Sequence, residues 1–105
     1  MTSNKLNSVT TNAARKHILD AAVRLSERMG YLQITRDDVA DEARCAAGSI
    51  NRHFGTMQQL RRAIMGEAVN SENLNIIAQG LVAKDTRAQK APETIRRAAL
   101  ESILI

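Results

Sequence analysis

Residues 34–54 read I-T-R-D-D-V-A-D-E-A-R-C-A-A-G-S-I-N-R-H-F, and the spacing of their apolar side chains decides the fold. Val39, Ala40 and Ala43 share one face of a first short helix, and Ile50 and Phe54 stand four apart on a second. That is the period of an α-helix, not the alternation of a strand. Two short helices joined by a tight turn form a helix-turn-helix, a unit that in nucleic-acid-binding proteins lays its second helix in the DNA major groove. Their apolar faces can be buried only against each other and a third helix.

That third helix stands just upstream. Residues 13–29 place Ile18, Ala22, Leu25 and Met29 on one stripe, with Arg15, Lys16, Asp20, Arg24, Glu27 and Arg28 mostly outside it. Gly30 is placed to end this helix in the left-handed conformation, and Thr35 to cap the next. Downstream, Thr56 and Gln59 have capping-box spacing ahead of Leu60, Ala63 and Ile64, which starts a fourth helix. The class is therefore all-α, with four helices before residue 67.

The ordered set Ile18-Leu19-Asp20-Ala21-Ala22, Gly30-Tyr31, Thr35, Val39-Ala40, Ala43, Gly48-Ser49-Ile50, Arg52-His53-Phe54-Gly55 and Leu60 resembles the DNA-binding domain of the tetracycline-repressor (TetR) family of bacterial regulators. The likeness runs from about residue 13 to residue 69. It implies a helix-turn-helix DNA-binding domain over residues 13–66, in which Ala47, Gly48 and Asn51 face bases and Ser49 and His53 touch phosphate. Thr35 and Arg36, at the start of the second helix, join this interface. Geometry within the helix adds Arg52: with Ile50 and Phe54 pointing inward, Gly48, Ser49 and Arg52 project oppositely, and Asn51 and His53 lie on the flanks. Chemically, Arg pairs best with guanine and Asn with adenine, while Ala47 offers only a methyl contact to thymine.

The chain departs from the family pattern where it matters. The usual Gly, Val and Ser of the turn are replaced by Arg44, Cys45 and Ala46, so the second helix lacks its side-chain cap, worth about 1 kcal/mol in typical hosts. The usual Tyr of the recognition helix is Asn51, the common phosphate-clamping Lys is Met57, and the common Arg early in the preceding helix is Asp37.

Family members carry a long ligand-binding and dimerisation domain after these helices, whereas 39 residues follow Gly66 here. Two helical stripes are legible in them. Leu74, Ile77, Ala78 and Leu81 form one. Ile95, Ala99 and Ile103, with Leu100 and Leu104, form another after Pro92, which suits a first helical turn. Residues 67–105 are read as a helical dimerisation tail with Leu74, Ile77, Leu81, Ile95, Ala99 and Ile103 at a two-fold interface. Lys84–Ala91 reads as a charged linker, and residues 1–12, polar with Lys5 as their single charge, as a flexible arm.

Charge divides the chain in the same way. Residues 1–66 hold ten Lys or Arg against six Asp or Glu, and residues 67–105 hold five of each, so the whole excess of +4 lies on the helix-turn-helix half. A pI near 9.8 fits a nucleic-acid partner reached through counterion release. No apolar run approaches a membrane span, and the polar first residues are no signal peptide. Cys45 is the sole cysteine, and His17 and His53 lie on different helices without clustered ligands. Asp37, Asp38, Asp41 and Glu42 suit a solvated face near a helix N-terminus. No catalytic residue, metal or cofactor is expected. The expected protein is a small cytoplasmic, nucleoid-associated homodimer that binds double-stranded DNA, a repressor at a palindromic operator with no small-molecule effector. The alternatives are a DNA-organising protein built on the same motif and a helical protein-interaction adaptor.

Overall fold

The computed structural model describes the backbone of residues 2–104 and the side chains of residues 11–104. It consists of seven helices, with no strand among the described residues: α1 (Thr2–Met29), α2 (Arg36–Ala43), α3 (Ala47–Phe54), α4 (Met57–Asn70), α5 (Leu74–Val82), α6 (Thr86–Gln89) and α7 (Glu93–Ile103). The local stop and start signals act where the sequence places them. Gly30 takes φ +94 beyond α1, and both capping boxes form. Thr35 Oγ1 accepts from Asp38 N at 3.1 Å while Thr35 N donates to Asp38 Oδ2 at 3.0 Å. Thr56 and Gln59 repeat the arrangement at α4.

One continuous core runs through the molecule. Ile18, Ala22 and Leu25 from α1, Val39 from α2, Ile50 from α3, and Leu60 and Ile64 from α4 join Ile76 and Ile77 of α5, Ala88 of α6 and Ala99 of α7. The division expected after residue 66 falls inside α4, which continues to Asn70. Gly80 is buried where α5 meets α6. A Cβ there would lie 2.7 Å from the Ala88 Cβ and 2.5 Å from the Met65 Cε, so a side chain would force the helices apart.

Four expectations are corrected by this packing. Ile77 and Ala99, placed on a dimer interface, are both fully buried within the subunit. The tail closes on itself and on the core because α7 folds back along α5, which pairs the two stripes within one chain. Leu74, Leu81 and Ile95 are half-buried at the edge of the same core, and of the six expected interface residues Ile103 alone is exposed. Lys84–Ala91 is a capped helical turn, not a linker. Lys84 turns the chain at φ +61, Asp85 accepts from the Arg87 and Ala88 amides at 2.8 and 3.3 Å, and Ala88 and Ala91 are buried. Pro92 sits one residue earlier than expected, at the N-cap of α7. Where a flexible arm was expected over residues 1–12, the backbone from Thr2 onward is the start of α1. No Pro or Gly interrupts residues 2–29, and a formed helix extends at one hydrogen bond per added residue without a new nucleation cost.

Candidate nucleic-acid interface

The turn between α2 and α3 is built without the residues that usually make it. Arg44 ends α2 in the left-handed region, φ 56 and ψ 48, a conformation that costs a residue with a Cβ about 1–2 kcal/mol. The compensation is a complete Schellman closure: Cys45 N donates to Ala40 O at 3.0 Å and Arg44 N to Asp41 O at 3.2 Å. The His17 ring of α1 adds a further bond, with Nε2 2.8 Å from Ala43 O. Since the partner is a carbonyl, Nε2 carries the proton. As the sequence suggests, Ala46 makes no side-chain cap to α3.

Packing takes the place of that cap. Ile50 and Phe54 are buried, and α3 rests against α2 and α4. The Arg15 guanidinium of α1 lies 4.5 Å from the Phe54 ring centroid, a cation–π contact worth roughly 0.5–1 kcal/mol at such sites. Gly55, at φ +82, then turns the chain into α4. A recognition helix of eight residues is thereby held on its inner face and at its C-terminal end.

The outer face carries the expected residues in two groups. Gly48, Asn51 and Arg52 are exposed, and a Cβ at Gly48 would meet nothing within 4 Å. Ser49 and His53 are half-buried, and Ala47 is half-buried against the core. Thr35 and Arg36 sit at the start of α2. The Thr35 oxygen is already accepting the Asp38 amide, which leaves its hydroxyl proton to donate. Arg36 Nε is buried without a hydrogen-bond partner among the described residues. The four ion pairs of the described residues use neither Arg36, Arg44 nor Arg52. Met57, in the place of the family's phosphate-clamping Lys, is half-buried against the core.

The base of α2 is anchored by residues that no local pattern marks. Arg24 and Arg28 of α1 hold the two Glu42 oxygens at 3.2 and 3.0 Å, and these hydrogen bonds, Arg28's first, keep the Glu42 carboxyl below its ordinary range. The turn that launches α2 is gripped from three later helices. Arg61 of α4 donates to the Tyr31 and Ile34 carbonyls at 3.1 and 3.0 Å. Gln79 of α5 accepts from Tyr31 N at 2.7 Å and donates to Ser26 O at 2.9 Å. The Tyr31 hydroxyl donates to Asp85, ahead of α6, at 3.1 Å.

Burial pushes the Tyr31 phenol up to about 12. The Asp85 charge and the hydrogen bond to Asp85 add to the rise, and Arg61 opposes it. The folded chain therefore holds this proton more tightly than the unfolded chain, whose phenol titrates near 10. The associated stability is complete below about pH 10 and is lost as the pH climbs from about 10 to about 12. Denaturant unfolding in that window should show a smaller alkaline loss for Tyr31→Phe than for the natural chain; equal losses would detach the phenol from alkaline stability.

Residues 18–64 match the family of bacterial regulatory proteins described as the tetR family. That stretch, 47 of the chain's 105 residues, is similar to the TetR-family helix-turn-helix domain. The match begins at Ile18, the first buried residue of α1 among the described side chains, and ends at Ile64 in the middle of α4, so it covers the later part of α1, all of α2 and α3, and the first part of α4. TetR-family proteins are DNA-binding transcription regulators, not enzymes. No curated protein and no solved structure gives a significant match. Among the described residues no group of His, Cys, Asp and Glu is arranged to hold a metal ion, and no described helix is long and apolar enough to cross a membrane.

Proposed function

We propose that the chain is a homodimeric, sequence-specific transcriptional repressor that occupies a palindromic operator, with α3 of each subunit in the major groove of one half-site. The observation that carries this reading is the outer face of α3. Gly48, Asn51 and Arg52 are exposed together on a helix whose inner face is fixed by Ile50 and Phe54, in a domain of a DNA-binding family. Gly48 permits close approach of the backbone to the duplex, Asn51 offers a bidentate amide, and Arg52 offers an unpaired guanidinium. Thr35, Arg36, Ser49 and His53 flank this face and grip phosphates, while Ala47 packs beside a thymine methyl. Repression follows from occupancy of the promoter.

Asn51 is assigned the base-reading role and Arg52 the phosphate contact, since the family docks this helix by its N-terminal half and flank. After in vitro selection of the preferred operator, Asn51→Ala should weaken binding by about 1–3 kcal/mol and relax preference at one base pair of each half-site. Arg52→Ala should weaken all sequences alike. An unchanged preference profile in Asn51→Ala would transfer the reading role to Arg52. Selection that returns no palindrome would remove the paired-operator reading, and a chain that retards no DNA would instead be a helical adaptor.

A further inference from the structure

Three arginines converge on a recess of about 340 Å³ to which α3 contributes no residue. Its walls come from the turn after α1, one face of α4 and the start of α6. Gln58, Arg61 and Arg62 are spaced i, i+3, i+4 and so share that face of α4, and Arg87 joins them from α6. None of the three guanidiniums enters an ion pair among the described residues. Two are held by backbone carbonyls instead. Arg61 donates through Nε and Nη2 to the Tyr31 and Ile34 carbonyls, and Arg87 donates through Nη1 to the Arg62 carbonyl at 3.5 Å. Gly66 makes room for the latter contact, since a Cβ there would lie 3.2 Å from Arg87 Nη1. A carbonyl orients a guanidinium but leaves its charge in place, because Arg stays protonated.

The one carboxylate in the recess is already engaged. Asp85 Oδ1 accepts from the Arg87 and Ala88 amides, and Oδ2 accepts from the Tyr31 hydroxyl. The lining thus carries three cations against one anion, an excess of two positive charges. Gln58 and Thr86 add an amide and a hydroxyl that can donate, and Leu32, 51% exposed, adds an apolar wall.

We propose that this recess binds a small phosphorylated organic molecule, its phosphate monoester held by Arg61, Arg62 and Arg87. A phosphate monoester carries close to two negative charges at neutral pH, which matches the excess on the walls, and guanidinium forks pair with its oxygens bidentately. The phosphate fills only part of a volume that lies at the small end of the range for ligand sites. The rest, bounded by Leu32, takes the organic group. DNA is the poorer occupant: its phosphates are diesters with one charge each, carried on a rigid cylinder that would have to reach into a recess. Five of the eight lining residues precede Gly66, so the site does not need the long ligand-binding domain of family members, and it stands apart from the DNA-binding reading. Sequence alone predicts no small-molecule ligand, because these arginines come together only when α6 packs on α4.

Titration of the isotope-labelled full chain with phenyl phosphate, followed by NMR at constant ionic strength, tests the proposal. The Leu32 and Thr86 amides and the Arg61 and Arg87 Nε–H groups should shift saturably while α3 stays unmoved, and phenol or chloride should move none of them. Inorganic phosphate should bind more weakly, since it lacks the ring that meets Leu32; equal affinity would overturn the organic half of the assignment. Arg62→Gln together with Arg87→Gln should raise the dissociation constant of phenyl phosphate by at least about tenfold. Both side chains are exposed, so circular dichroism should show unchanged helix content, whereas Arg61 is left intact because it ties the turn before α2. Should the double variant lose helix, the shift map of the natural chain decides by itself. Arg97→Gln, which removes a guanidinium paired with Glu93 outside the recess, should leave the affinity unchanged. Shifts that do not saturate, or equal weakening by Arg97→Gln, would reduce the recess to diffuse attraction of anions and overturn the proposal. A short duplex that moves the same signals where phenyl phosphate does not would overturn it too, and would make the recess part of a DNA contact.

Discussion

Ile77→Asp is expected to unfold the subunit. Ile77 has no exposed surface and lies in the apolar core shared by both halves of the chain, so the substitution buries a carboxylate in an apolar cluster and removes a packed aliphatic side chain. Unpaired burial of a charge costs at least about 3–5 kcal/mol, a large part of the 5–15 kcal/mol by which a domain of this size is stable. Thermal unfolding followed by circular dichroism should show the cooperative transition lost or lowered by roughly 15 °C or more. Ile77→Val, which removes one methyl group, should cost about 0.5–1.5 kcal/mol. A variant that keeps its transition but falls apart into folded monomers would return Ile77 to an intersubunit surface. Val82→Glu, at an exposed position of the same helix, should by contrast be tolerated by the fold.

Binding to DNA should collapse with salt. The excess of +4 lies entirely within residues 1–66, and the ion pairs of the described residues leave Arg36, Arg44 and Arg52 uncommitted on the helix-turn-helix. If a dimer neutralises on the order of six phosphates, log affinity falls against log salt with a slope of roughly −5, and a fourfold rise in salt costs about a thousandfold in affinity. Titration of labelled duplex at several salt concentrations gives the slope. A value near zero would remove the DNA-binding reading. A normal slope with no sequence preference would keep the phosphate grip and overturn base recognition by Asn51.

The Met57 position shows how the grip is redistributed. A Lys there would reach phosphate from the start of α4, but Met57 is half-buried against the core, so α4 loses a clamp and gains packing. The uncapped start of α3 and the left-handed Arg44 follow the same pattern. Each departs from the residue that local geometry favours, and each is compensated by a contact from a distant element: the His17 bond to the Ala43 carbonyl and Arg15 over the Phe54 ring.

What the sequence by itself determined is local. The helical period of Val39, Ala40, Ala43, Ile50 and Phe54, the caps at Thr35 and Thr56, and the stop at Gly30 are written in residues within a few positions of one another. Their energetics depend on hydrogen bonds and burial that the local chain already specifies. The order of these signals also identified the domain. The tertiary structure decided everything that depends on which surface meets which. An apolar stripe records that a helix face must be covered and not by what, so Ile77 and Ala99 read equally well as an intersubunit seam and as the interior that α5 and α7 make together. Linker and capped turn have the same composition over Lys84–Ala91 until Asp85 is seen to meet the α6 amides and the Tyr31 hydroxyl. The grip of Arg61 and Gln79 on the turn before α2 spans 27 to 53 residues of sequence. Long polar side chains on a helix surface carry no periodic signal, because what they bond to is set only when the helices have docked.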